Sequence, residues 1–72
     1  MKKLSEAETE RICGLKHLVP ALVRGTGRVQ FIRDGHAKGL MDPIPWGEFW
    51  RILGEKSLAV YEDGGYIIIR RA

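Results

Sequence analysis

The first third of the chain carries hydrophobic residues three or four positions apart, at Ile12, Leu15, Leu18 or Val19, and Leu22. This spacing is typical of a helix with one buried face. Ser5 and Glu8 precede it in a capping-box pattern. Pro20 interrupts the pattern, since proline has no amide hydrogen and disfavours helical geometry at the residue before it. We therefore predict a long N-terminal helix that ends at Gly25, either kinked at Pro20 or stopped near Leu18 and restarted.

Alternation replaces the helical spacing in the next segment. Residues 28–33, RVQFIR, place Val29 and Phe31 on one face of a predicted strand. The dipeptide Asp34-Gly35 follows, and it is a strong signal for a two-residue hairpin turn. We predict a first hairpin at this point. Its returning arm, residues 36–41, fits either a strand or a short helical turn.

Aromatic residues dominate a second stretch with helical spacing, at Trp46, Phe49, Trp50 and Leu53. Pro45 suits the first position of a helix, and Gly54 suits a C-terminal stop. We predict a short amphipathic helix of about two turns here.

The chain ends in a second hairpin signal, Asp63-Gly64, between two apolar segments. A two-residue turn at this dipeptide sets Tyr61 opposite Tyr66. One face of the hairpin then carries Leu58, Val60, Ile67 and Ile69, and the other carries Ala59, Tyr61, Tyr66 and Ile68. A half-exposed hairpin normally alternates apolar and polar residues. Because this one does not, we expect a second subunit or a partner protein to cover part of it.

Together these elements predict one small α+β domain over residues 1–72. An N-terminal helix packs on a small antiparallel sheet of two β-hairpins, which the short aromatic helix joins. No convincing repeat stands out, although two hairpin-like units each carry an Asp-Gly turn. A winged helix is the alternative from element order, but Glu62 and Asp63 at the wing tip argue against DNA binding in that mode.

Composition and charge narrow the classes of function. Hydrophobic residues make up 44% and charged residues 29%, a balance typical of a globular protein. The net charge is +3, and every ionised side chain from Arg11 to Arg33 is positive, which favours anionic partners such as phosphate. The apolar runs are far shorter than the ~20 residues of a membrane span. We therefore expect no membrane partner. The single cysteine, Cys13, cannot form an internal disulfide, so we expect a reducing, cytoplasmic setting.

Catalytic and metal-binding patterns are weak in this sequence. Cys13 and His17 lie four positions apart and supply at most half a metal site, without a CxxC or HxxxH partner. We interpret Cys13 as a buried hydrophobic residue and His17 as a surface residue. We therefore expect a non-enzymatic protein with no metal and no cofactor, and we infer no small-molecule substrate.

The leading functional hypothesis is a small basic binding module, nucleic-acid-associated or regulatory. The stretch RGTGR, residues 24–28, is the best phosphate-binding candidate, because glycines let backbone amides approach an oxyanion and arginines flank them. A plain connection between helix and strand is the alternative for this stretch. The predicted phosphate contacts are Arg24, Arg28, Arg33, Lys38, Arg70 and Arg71.

The alternative hypothesis is a small protein-binding adaptor or inhibitor, of the mobile-element type that acts on a larger complex. It uses the aromatic helix or the apolar C-terminal hairpin, and it includes self-association as a homodimer. The predicted interface residues are Trp46, Trp50, Tyr61, Tyr66 and Ile68. The aromatic stripe equally fits the core face of a short helix.

Overall fold

The computed structural model describes residues 1–35 and 39–72, and it confirms the predicted α+β class. Its elements are β1 (Lys2–Lys3), α1 (Glu6–Lys16), β2 (Leu18–Val23), β3 (Arg28–Arg33), β4 (Met41–Pro43), α2 (Trp46–Lys56), β5 (Leu58–Asp63) and β6 (Tyr66–Arg71). In the described residues the strands form two antiparallel sheets of three, ordered β1-β5-β6 and β3-β2-β4. The two hairpins therefore lie in separate sheets, and this order of elements does not fit a winged helix.

The N-terminal helix α1 begins with the predicted capping box. The Ser5 hydroxyl accepts from the Glu8 amide at 3.1 Å, and the Glu8 carboxylate accepts from the Ser5 amide at 2.9 Å. The predicted continuation to Gly25 is wrong, because α1 ends at Lys16 and His17 adopts a left-handed conformation with φ of 57°. The following LVPALV is the strand β2. An apolar run of this length fits a strand as well as a buried helix face.

Pro20 is tolerated in the central strand β2 because of the side it faces. Its carbonyl accepts from the Ile44 amide at 3.0 Å, just after β4 ends. In a strand, the carbonyl and the nitrogen of one residue point to the same side. The Pro20 ring nitrogen therefore faces the β4 side, just beyond the end of that strand. The pairing of β2 with β3, on the other side, loses no hydrogen bond to the proline.

The first hairpin joins β2 to β3 rather than β3 to the segment after it. Leu18 pairs with Arg33 and Val23 with Arg28, around the turn 24–27. The strand predicted at 28–33 is confirmed. The returning arm predicted for 36–41 does not end beside this strand, because Met41 pairs with Val23 of β2. Asp34 lies past the end of β3, where its amide donates to the His17 carbonyl at 2.8 Å. Of the segment left open between strand and helix, residues 36–38 lie outside the described residues, and Met41 begins β4.

The aromatic helix α2 and the second hairpin are confirmed with shifted boundaries. Pro45 occupies the N-cap position rather than the first helical position, and the helix passes Gly54 to end at Lys56. In the hairpin, Tyr61 pairs with Ile68 and not with Tyr66, because the turn residues are Gly64 and Gly65, both with positive φ. The register differs from the predicted one by two residues, so each side chain keeps its predicted face.

The structure also shows an internal repeat that the sequence analysis did not find. The unit β1-α1-β2-β3 recurs as β4-α2-β5-β6, with Glu6–Lys16 corresponding to Trp46–Lys56 forty positions later. The third strands correspond at an offset of 38, from Arg28–Arg33 to Tyr66–Arg71, because the second turn is two residues shorter. From α1 to the end of β2, identical residues occupy six positions at the offset of 40: Glu8/Glu48, Arg11/Arg51, Ile12/Ile52, Gly14/Gly54, Lys16/Lys56 and Leu18/Leu58. In the third strands, at the offset of 38, Arg33 and Arg71 are also identical.

The two units exchange their first strands. β1 pairs with β5 of the second unit, and β4 pairs with β2 of the first. Two equivalent hydrogen bonds secure the exchange: the Leu4 amide donates to the Val60 carbonyl at 2.9 Å, and the Ile44 amide donates to the Pro20 carbonyl at 3.0 Å. The exchange makes the two units interdependent and lets them share one core.

This shared core draws mainly on the second unit. Its buried members are Leu4, Val29, Phe49, Ile52, Leu53 and Val60. At equivalent helix positions, α2 buries Phe49 and Leu53, whereas α1 buries the smaller Thr9 and Cys13. The edge strands β3 and β6 add Phe31, Ile67 and Ile69 from the side.

Candidate functional site

A groove of about 550 Å³ runs between the edge strands β3 and β6. Residues 28–31 line one side of it and residues 67–70 line the other. Each of these strands is last in its sheet within the described residues, so each presents one edge without a strand partner to the groove. Arg33 lies near Gly65 and Tyr66 at one end, and Arg28 lies near Arg71 at the other. The two edges are therefore antiparallel to each other.

The groove has an apolar floor and follows the symmetry of the repeat. Val29, Phe31, Ile67 and Ile69 pack against the core and form the floor. Gln30 and Ile68 are equivalent residues of the two units, and both line its middle. A local two-fold axis therefore passes near this pair, and whatever one unit places at one end of the groove, the other unit places at the opposite end.

The first end of the groove is a cavity of about 410 Å³. Its walls combine the last turn of α1 and the end of β3 with the start of β6, and include Lys16, Leu18, Arg33 and Tyr66. The Lys16 ammonium donates to the Gly65 carbonyl at 3.1 Å, across the two units. Tyr66 is 77% exposed, so its ring is open to a ligand in this cavity.

The second end of the groove is a cavity of about 330 Å³ with the equivalent construction. Its walls include Lys56, Leu58 and Arg71 of the second unit and Arg28 of the first. These residues are the counterparts of Lys16, Leu18, Arg33 and Tyr66 under the repeat. The one change in charge between the two ends is therefore Arg28 in the place of Tyr66.

Charge along the groove has a single sign. Six cationic side chains line it and its two ends: Lys16, Arg28, Arg33, Lys56, Arg70 and Arg71. Among the described residues no carboxylate side chain lines these three cavities, and the ion pairs of the structure involve Lys2, Arg24 and Arg51 instead. Clustered charge of one sign raises the local concentration of ions of the opposite sign, here anions.

Sequence reasoning assigned the groove residues to two separate surfaces, and the structure brings them together. Four of the predicted phosphate contacts, Arg28, Arg33, Arg70 and Arg71, line the groove or its ends. Two of the predicted protein-interface residues, Tyr66 and Ile68, line the same surface.

Arg24 and Lys38 are the two predicted phosphate contacts that the structure does not place at the groove. Arg24 makes a two-pronged ion pair with Asp42, with both nitrogen-to-oxygen distances at 2.8 Å. Hydrogen bonding from Arg24 holds the pKa of the Asp42 carboxyl below its usual value. Lys38 lies outside the described residues. Of the predicted phosphate stretch 24–28, only the final Arg28 reaches the groove, and the rest forms the turn between β2 and β3.

The two tryptophans contact the core, so packing accounts for much of their surface. Trp46 and Trp50 stack with their ring centres 5.8 Å apart, and Phe49 meets Trp50 edge-on at 4.9 Å. The Trp50 indole donates to the Glu10 carboxylate at 2.9 Å, which ties α2 to α1. Tyr61 is half-buried, and its hydroxyl donates to the Arg71 carbonyl at 3.3 Å.

Lys16 and Lys56 are the two groove cations that were not among the predicted phosphate contacts. Each is the last residue of its helix, where a cation also suits the negative end of the helix dipole. The sequence does contain a signal for these two lysines. Each follows a glutamate, an arginine, an isoleucine and a glycine at the same spacing, which indicates that the two lysines are equivalent residues of a repeat. Because the two units are related by the repeat, the two lysines lie at opposite ends of one groove.

Cys13 and His17 have the predicted environments. Cys13 is fully buried, and burial, with a smaller effect of Glu10, raises the pKa of its thiol to about 11. His17 is exposed. Within residues 1–35 and 39–72, no three histidine, cysteine, aspartate or glutamate side chains are grouped as metal ligands. Neither described helix has the length and apolar character needed to cross a membrane.

The chain matches no protein-family model, no curated protein and no solved structure. Its function is therefore argued from the geometry and charge of the groove.

Proposed function

We propose that this protein is a non-enzymatic module that binds nucleic acid along the groove between β3 and β6. The observation that carries the proposal is the convergence of six cationic side chains on a surface whose described walls hold no carboxylate. Nucleic-acid backbones are the commonest polyanions that such surfaces bind. Four of the six cations are arginines, whose guanidinium groups donate two parallel hydrogen bonds to a phosphate.

The shape of the groove suits a strand of nucleic acid lying along it. A six-residue strand such as β3 is about 20 Å long, so the surface accommodates several successive nucleotides. The apolar floor offers contact area for sugars and bases, and the exposed ring of Tyr66 offers a stacking surface worth about 1–3 kcal/mol per base. The cations at both ends then contact phosphates.

The proposal contains no catalytic step. The described groove walls supply positive charge, apolar surface, the Gln30 amide and the Tyr66 hydroxyl, which together favour binding over acid–base chemistry. The free, buried Cys13 supports our further proposal that the protein works in the reducing environment of the cytoplasm.

The test is fluorescence anisotropy with labelled single-stranded and duplex oligonucleotides at low salt. Replacing two groove cations in Arg28→Ala/Arg71→Ala should weaken binding by at least about tenfold, since hydrogen bonds to charged groups are each worth about 1.5–3 kcal/mol. The control Lys2→Ala/Arg51→Ala removes the same net charge from outside the groove and should stay within about twofold of the wild type.

Salt dependence provides a second readout of the same binding. On a single strand, each lost phosphate contact should reduce the slope of log K against log salt by about 0.7. Absence of wild-type binding at low salt would overturn the proposal. Equal losses in the groove variant and in its control would do the same, because they would show that only net charge matters.

Protein binding at the outer face of the second hairpin is the second candidate function. The observation in its favour is that Tyr61, Tyr66 and Ile68 share one face of β5 and β6, with Tyr66 77% exposed. Light-scattering mass measurement distinguishes the candidates. If Ile68→Ala dissociates an assembly while the arginine variants change nothing, the protein-binding candidate replaces nucleic-acid binding.

A further inference from the structure

We infer that the cavity at the second end of the groove binds the terminal phosphate of a nucleic-acid strand, a phosphomonoester. The identity of the polymer rests on the proposed function above. The assignment of a phosphate to this cavity rests on its own walls, and the two are separable by experiment.

Three of the six residues that line this cavity of about 330 Å³ are cations: Arg28, Lys56 and Arg71. The other three, Val29, Leu58 and Ile69, are apolar. No carboxylate belongs to these walls, and no ion pair between described residues involves the three cations. Like charges held together without a counter-ion repel one another, and a bound anion relieves that repulsion.

Two of these cations, Arg28 and Lys56, lie beside the turn 24–27. Gly27 has a φ of +70°, and a Cβ atom at this position would lie 3.4 Å from the Lys56 ammonium nitrogen. The Lys56 side chain therefore extends over the turn. The Thr26 hydroxyl accepts from the Arg28 amide at 3.1 Å, which fixes the start of β3 beside that lysine. A lysine of one unit and an arginine of the other therefore both lie beside this turn and line one cavity.

The equivalent cavity at the first end lacks this concentration of charge. Tyr66 stands in the place of Arg28, and the Lys16 ammonium already donates to the Gly65 carbonyl at 3.1 Å. A phosphomonoester carries about −1.5 to −2 charges at pH 7, whereas each phosphate within a strand carries one. Three converging cations therefore match a terminal phosphate, and the first end better matches an internal phosphate beside a stacked base.

The first arm of the test uses inorganic phosphate alone. In ¹H–¹⁵N NMR spectra, phosphate should shift the Gly27 and Arg28 amides along a saturable curve, and Lys56→Ala should abolish the saturation. The matched control is Lys16→Ala, the equivalent residue at the first end, which should leave the curve unchanged. Lys56→Arg keeps the charge and should retain the response, which separates loss of charge from any change in folding. Absence of a saturable shift in the wild type would overturn the phosphate site.

The second arm compares oligonucleotides of one sequence with a 5′-phosphate, a 3′-phosphate or hydroxyl groups at both ends. One phosphorylated form should bind about tenfold more tightly than the hydroxyl form, the worth of one charge-assisted contact. Lys56→Ala should remove this preference and Lys16→Ala should keep it. Equal affinity for all three forms would overturn the inference while leaving nucleic-acid binding intact. Saturable binding of inorganic phosphate with no affinity for any oligonucleotide would instead overturn the proposed function and the assignment of the site to a strand end.

Discussion

The two repeat units have the same backbone plan but contribute differently to stability. The helix of the second unit inserts Phe49 and Leu53 into the core, and the helix of the first unit places Thr9 and Cys13 at the same positions. The smaller pair buries less apolar surface, and burial is worth roughly 25 cal/mol per Å². The first unit therefore depends on the second for its core, and the exchange of first strands provides the connection.

The exchanged segments show the same asymmetry. Leu4, which follows β1, is a buried member of the core, whereas its counterpart Ile44 is only half-buried. The first unit thus gives a core residue to the second and receives a more peripheral one in return. Substitutions at equivalent positions of the two units form matched pairs. Comparing the effects of the two substitutions in a pair shows how that position differs between the units.

The largest difference should appear at Phe49 and Thr9. Phe49→Ala should lower the free energy of unfolding by about 3–5 kcal/mol, because it leaves a large cavity in a fully buried site. Thr9→Ala should cost only about 1 kcal/mol, mainly for the hydrogen bond from the threonine hydroxyl to the Ser5 carbonyl. Urea unfolding followed by circular dichroism measures both, and Phe49→Leu supplies a milder variant if Phe49→Ala does not fold. Equal losses at the two positions would contradict a core centred on the second unit.

A smaller difference should appear at the helix N-termini. Ser5→Ala removes a capping box and should destabilise the protein by about 1 kcal/mol. Its counterpart Pro45 makes no side-chain cap, so Pro45→Ala should cost less than Ser5→Ala. Thermal unfolding of the two variants under one condition gives the comparison. A larger effect at Pro45 would show that the fixed proline backbone matters more to α2 than the cap does to α1.

The sequence was sufficient to predict those elements that carry an unambiguous local signal. The capping box at Ser5, the strand at 28–33, the aromatic helix and the final hairpin all have one, and all four are present. Even the wrong register of the final hairpin left its faces correct, because a shift of two residues preserves the alternation of side chains.

β2 and the exchange of strands could not be predicted in this way. The stretch LVPALV satisfies helical and strand spacing equally, and only pairing with residues distant in the chain makes it a strand. β1 and β4 are too short to carry a pattern, since their positions depend on partners in the other unit. The repeat itself was obscured because the two helices keep their shared residues mainly on exposed positions and differ in the core.

The candidate site was predictable as a set of residue types but not as a place. Arginines at the ends of β3 and β6 were identified from charge alone, and Tyr66 and Ile68 from an apolar hairpin face. Their meeting in one groove depends on two edge strands approaching each other without pairing, which no local pattern encodes. Arg24 was predicted as a phosphate contact, but it forms an ion pair with Asp42 instead. This pairing was not predictable either, because Asp42 belongs to the exchanged strand β4.

The smallest expected difference concerns the carboxylates that hold the exchanged strands. The pKa of Asp42 is lowered chiefly by its hydrogen bond with Arg24, whereas that of Glu8 is lowered first by the Ser5 backbone amide and then by Lys2. Both groups therefore add stability above their ordinary pKa values, and this stability is lost as pH falls through the lower values of the folded state.

NMR titration of the two carboxyl groups measures this difference directly. Arg24→Ala should return Asp42 towards its ordinary pKa. Lys2→Ala should leave the Glu8 pKa below its ordinary value, because the hydrogen bond from the Ser5 backbone amide is the largest cause of the lowering. An unchanged Asp42 titration in Arg24→Ala would contradict a specific tie between β4 and the first unit.

The central claim is that the two ends of the groove differ, with tighter phosphate binding at the second end. The most direct test of this claim compares the equivalent residues Arg33 and Arg71. Both end their strands, both are exposed, and their replacement changes the net charge equally. In low-salt anisotropy with a 5′-phosphorylated and a 3′-phosphorylated oligonucleotide, Arg71→Ala should weaken the tighter complex by about tenfold, and Arg33→Ala by about threefold or less. Losses of equal size at the two positions, or a larger loss for Arg33→Ala, would contradict the assignment of the phosphate cavity to the second end.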